Sequence, residues 1–69
     1  EVHMEITQER LLEAKRQITS IQHKLGETRK TLEAKEEPRR YRSQITLIKR
    51  RLDAFELALQ LIDRELNRW

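Results

Sequence analysis

Cysteine is absent from this 69-residue chain, and glycine, proline, tryptophan, tyrosine and phenylalanine occur once each. Each shortage excludes something. Without cysteine there is neither a disulfide framework nor a thiolate metal site. One glycine and one proline do not supply the turns of a loop-rich globule. Long apolar runs are missing too: the stretch "AFELALQLI" is too short and too interrupted by polar residues to span a bilayer. No charged-then-apolar leader with a small-residue cleavage site is visible. The expectation is a soluble, cytoplasmic protein, with residues 1–3 a tag remnant ahead of a native Met4, which sets His3 aside.

Catalytic and metal-binding groupings are equally scarce, and the expectation is a non-enzyme without cofactors. His23 has no second histidine at i+3 or i+4 to make a metal pair. Ser20 and Ser43 lack a nearby base and a glycine-rich elbow. Glu33, Glu36 and Glu37 form a small acidic cluster whose ordinary reading is a set of solvated turn carboxylates.

What the chain has is charge and rhythm. Charged residues make up 39% and hydrophobic ones 36%, the profile of long solvated helices. Before Pro38 a stripe recurs every three or four residues through Met4, Leu11, Ala14, Ile18, Ile21, Leu25 and Leu32, with Thr7 and Thr28 in two of its slots. After Pro38 the same steps run from Tyr41 through Ile45, Ile48, Leu52, Phe55, Leu59, Ile62 and Leu66 to Trp69. This spacing predicts one heptad-patterned helix over about 5–35 and a second over about 39–68. Only Gly26 is a poor helix former within them, and it lies off the stripe, where a tolerated surface glycine is the plain reading.

The two stripes mirror each other. Pairing Leu32 with Tyr41, Thr28 with Ile45, and so on to Met4 with Trp69, brings nine layers into register when the chain doubles back. Met4 and Trp69 then plug the open end. Pro38 sets the place: inside a helix it would cost about 3 kcal/mol, whereas at the first position of a new helix it loses no hydrogen bond. The turn is expected over about 36–38, at Glu37 and Pro38. The predicted fold is all-α, a single two-helix antiparallel coiled-coil hairpin over 1–69, dimeric or partner-bound because so short a chain is below the size at which one core usually suffices.

Charge beside the seam is matched at one end and opposed at the other. Lys15 is expected near Glu56 and Asp63, and Arg10 near Glu65. Towards the turn Arg29 meets Arg42 or Lys49, and Lys24 meets Arg51. From Lys24 to Arg51 there are ten Lys or Arg against four Glu, a net +6, while the rest of the chain is net −3. Such a basic tip suits phosphate binding, but its interspersed glutamates and single aromatic favour a solvated charged face, and nucleic acid is disfavoured as a partner.

The second helix carries a surplus. Leu47, Ala54, Leu57, Ala58 and Leu61 lie beyond its seam, and a second apolar stripe is what a helix needs when it packs on two sides. These five are the candidate partner-binding residues; the plainer alternative is that they widen the hairpin's own core. On the first helix only Ile6, Leu12 and Ala34 stray from the seam.

The run "LGETRKTLEAKEEPRRY" (residues 25–41), followed by Ala54, Ala58, Leu61 and Ile62, resembles the small subunit of the needle-protein chaperone of bacterial type III secretion systems, the YscE-like family. The shared features are Leu25, Arg29, Lys30, Leu32 and Glu33, then Pro38 and Tyr41, within residues 25–69. The resemblance implies a co-chaperone of the bacterial cytoplasm. It would pack on a larger helical-repeat (TPR-like) chaperone, and the pair would keep the needle subunit monomeric before export. It also allows a homodimer in isolation. The alternatives are a generic coiled-coil oligomerisation module and a basic RNA-binding hairpin.

Overall fold

A computed structural model describes residues 5–69 as two helices and a short connection. Helix α1 spans Gln8–Glu33 and α2 spans Arg42–Leu66, joined through a 3₁₀ turn at Pro38–Tyr41. The described chain is all-α. Its longest dimension is 48 Å, whereas about sixty residues in one helix would reach roughly 90 Å. The chain folds back, and α1 packs along α2.

Both helices are shorter than their apolar rhythm, and the ends explain why. Half-buried Thr7 is the N-cap of α1: it is extended, and its Oγ1 accepts the amide of Arg10 at 3.1 Å. A threonine in that role satisfies one of the helix's orphan N–H groups. Thr7→Ala should therefore cost about 1 kcal/mol, read as a lower melting temperature by circular dichroism.

At the other end of α1 the backbone stays in the right-handed helical region through Ala34, whose amide bonds Lys30 O at 3.1 Å. No described residue has a positive φ, so the reversal is made without a left-handed glycine cap. Proline makes it instead. A residue before proline is steered out of the helical region, and Glu37 sits at φ −123°, ψ 77°. Pro38 then opens the 3₁₀ turn in the first helical position, with the Arg40 amide bonding Glu37 O at 3.1 Å. The irregular connection thus covers residues 34–37, slightly ahead of the expected 36–38, because α1 ends at Glu33.

Two cross-helix contacts define how the helices face each other. Lys15 Nζ reaches Asp63 Oδ1 at 2.8 Å, and Gln22 Nε2 donates to Glu56 Oε2 at 3.3 Å. Seven residues up α1 correspond to seven down α2. Arg10 takes a different partner from the one expected: its guanidinium bonds the Glu5 carbonyl at 3.3 Å, and Glu65 pairs with Arg68 at 3.7 Å.

The seam is not the symmetric ladder that the spacing suggests. Ile48 is the one buried side chain among the described residues, 7% exposed. Leu11, Ile18, Leu25 and Leu32 on α1, and Ile45, Leu52, Phe55, Leu59, Ile62 and Leu66 on α2, are half-buried. Ile21, expected in the seam, is 44% exposed, and Thr28 is exposed with its hydroxyl bonded back to Lys24 O at 3.0 Å. In their place Lys15, Gln22 and Arg29 are half-buried. Helix α1 is rolled about its axis away from Ile21 and towards Gln22, with Ala14 still half-buried.

The roll costs little apolar burial and gains polar partners. Of the slots it turns outward, Thr28 is polar and only Ile21 is a large aliphatic. The slots it turns inward carry long side chains: Lys15 reaches Asp63 and Gln22 reaches Glu56 across the seam, while Arg29 pairs with Glu33 on its own helix. The ninth layer is not closed: Trp69 is 60% exposed, beyond the end of α2. Met4, its expected partner, lies outside the described residues, as do residues 1–3.

Gly26 fits this surface position. A methyl group added there would meet nothing within 4 Å. Gly26→Ala should raise stability by roughly 0.8–1 kcal/mol through helix propensity alone, seen as a higher melting temperature with sedimentation unchanged.

Candidate functional site

The surplus stripe of α2 is open to solvent. Leu47 is 43% exposed, Leu57 58% and Leu61 54%. Ala54 is exposed, while Ala58 is half-buried at the margin of the seam. Leu47, Ala54 and Leu61 each stand one residue before a seam residue (Ile48, Phe55 and Ile62), so they form a file at seven-residue spacing down one flank. Ala58 lies between that file and the seam, and Leu57 on its outer side.

The polar contacts fix which flank this is. Glu56 and Asp63 follow the seam residues Phe55 and Ile62, so Gln22–Glu56 and Lys15–Asp63 occupy the opposite flank of α2. One flank of α2 makes the polar cross-helix contacts, and the other carries the exposed apolar file, with Arg51 and Glu65 at the heptad positions on either side of Ala58. Ile21, turned outward by the roll of α1, projects away from Gln22 and so joins the apolar side. Nothing in the local spacing separates Ile21 from its neighbours; the polar residues at 15, 22 and 29, one heptad apart, were the available signal that α1 has a second usable face.

The chemistry of this surface is that of contact. Small Ala54 and Ala58 between Leu47 and Leu61 permit close approach of another helix backbone, with the leucines as flanking anchors. No described group of three or more His, Asp or Glu is arranged to hold a metal ion. No described helix is long and apolar enough to cross a membrane. His23 is exposed on the outer face of α1.

Family models, curated proteins and solved structures give no match to this chain. The surface itself must therefore carry the functional argument. Glu37 ends the irregular connection and Pro38 opens the 3₁₀ turn, both exposed, and Glu37 makes a loose 3.9 Å contact with Arg40. Tyr41 is half-buried at the last turn of the 3₁₀ segment. The basic tip is also laid open: Arg39, Arg40, Arg42, Lys49, Arg50 and Arg51 are all exposed.

Proposed function

We propose that this chain is a docking subunit: an antiparallel two-helix coiled coil that closes one seam on itself and offers the outer flank of α2 to a second protein. The observation that carries the reading is the exposed file of Leu47, Ala54 and Leu61, with Leu57 beside it, on a helix whose other apolar face is already packed. A chain this small with so little fully buried surface gains stability from a partner that covers such a file.

The resemblance to the small needle-chaperone subunits supports a specific occupant. In this reading the partner is a larger helical-repeat chaperone, and the two together hold the needle subunit monomeric in the bacterial cytoplasm before export. Co-expression with a helical-repeat chaperone and a needle protein tests it. A soluble ternary complex, lost on Leu61→Glu, is the expected outcome. Recovery of this chain free of both, under conditions where the other two bind each other, would refute it.

A second reading is favoured by the pattern of the file itself. Leu47 and Leu61 are disposed about the small pair Ala54 and Ala58, so two copies of α2 crossing at the alanines can meet each other's leucines. The chain would then be a self-associating coiled-coil module, giving a dimer whose presence does not depend on any other protein.

A further inference from the structure

The polar flank of the hairpin is closed by carboxylates at two rungs and open at the third. Lys15–Asp63 and Gln22–Glu56 are one heptad apart on each helix. The next step of the same period sets Arg29 opposite Lys49, cation facing cation. Arg29 Nε is shielded from solvent and has no hydrogen-bond partner. The Glu33 carboxylate, 3.5 Å away, is near enough for an ion pair but not aligned to accept the N–H. Beside this rung Pro38, Arg39, Arg42, Ile45, Thr46 and Lys49 line a cleft, and none of the six is acidic. None of Arg39, Arg42 and Lys49 pairs with a carboxylate among the described residues.

We propose that this cleft binds an acidic peptide segment of a partner protein, whose carboxylates take at the third rung the place that Asp63 and Glu56 hold at the first two. Guanidinium groups present planar donor forks suited to carboxylates, and Arg39 and Arg42 line the cleft beside the Arg29 rung. Pro38 and Ile45 add apolar lining that suits the stems of glutamate side chains. No aromatic lines the cleft for a base to stack on, which sets it apart from single-stranded nucleic-acid sites. The cleft lies on the flank opposite Leu47 and Leu61, so this site neither uses nor requires the apolar file.

The test is a titration of the isotope-labelled chain with an acetylated peptide of alternating glutamate and alanine, followed by NMR. Expected at low salt are saturable shifts of the Arg29 Nε–H and of the backbone amides from Arg42 to Lys49, abolished near 0.5 M salt, where charge interactions are screened within about 4–5 Å. Lys49→Glu is the decisive variant. It supplies the third carboxylate from within the chain, so it should raise the melting temperature while weakening peptide binding roughly tenfold or more. Leu61→Glu should leave peptide binding unchanged. Absence of saturable shifts, shifts spread evenly over every Lys and Arg, or a Lys49→Glu chain that binds the peptide as well as wild type would each overturn the proposal. So would an oligouridylate that shifts the same resonances when the peptide does not.

Discussion

Leu57→Glu and Leu61→Glu should each abolish self-association and capture of a protein partner, with helical content nearly unchanged. Both leucines project from α2 into solvent, 58% and 54% exposed, so neither change disturbs the α1–α2 seam. In an assembly the same positions would bury an unpaired carboxylate against apolar neighbours, which costs several kcal/mol and weakens association by roughly a hundredfold or more. Sedimentation of wild type and variants, alone and with a partner, measures the effect, and circular dichroism controls for folding. Wild-type association that survives both substitutions would remove this face of α2 from any docking role, for self and foreign partners alike.

Ile48→Ala should unfold most of the hairpin at room temperature, while Ile21→Ala should be nearly silent. Ile48 is the one buried side chain of the described chain, and truncating a buried isoleucine costs about 2–5 kcal/mol. That is a large share of the stability of any small domain. Ile21 stands in an equivalent slot of the apolar rhythm, but it is 44% exposed, and surface changes of this kind usually stay within about 0.5 kcal/mol. Thermal melts of both variants in the Leu61→Glu background, where association makes no contribution, give the comparison. Equal losses for the two would mean that α1 presents Ile21 to the seam in solution and that the roll of α1 is wrong.

The two predictions probe different depths of what the sequence carried. The α2 file is visible as an apolar surplus at Leu47, Ala54, Leu57, Ala58 and Leu61, because a helix with one neighbour needs only one stripe. Counting leaves open whether these residues widen the hairpin's own core; in the structure Leu47, Ala54, Leu57 and Leu61 are exposed and Ala58 is half-buried. The failures of the ladder are at Ile21, Thr28 and Trp69. Thr28 is turned outward together with Ile21, its hydroxyl bonded back to Lys24 O. Trp69 falls beyond Asn67, where α2 has ended. Ile21 is displaced because its neighbour Gln22 has Glu56 to reach.

The mismatch at the basic tip was likewise legible as charge, in the approach of Arg29 to Lys49, but not as a cleft. A sequence gives the sign of a side chain and its heptad position. It does not say that Pro38 and Ile45 will line a cleft beside those cations, because that depends on where the 3₁₀ turn hands over to α2.

From the sequence alone came two helices, their reversal at the one proline, the surplus file on the later helix and the charge gradient from tip to open end. These are consequences of period and of covalent geometry, which act within a few residues of chain. The tertiary structure alone decided which face α1 turns to α2. Two candidate stripes on α1 share Leu11, Ile18, Leu25 and Leu32 and differ in what fills the gaps, Ala14, Ile21 and Thr28 or Lys15, Gln22 and Arg29, at the same three-and-four spacing, so periodicity alone does not separate them. The choice is made across the seam, by Glu56 and Asp63 on the other helix, and such a preference exists only once the two helices are in contact.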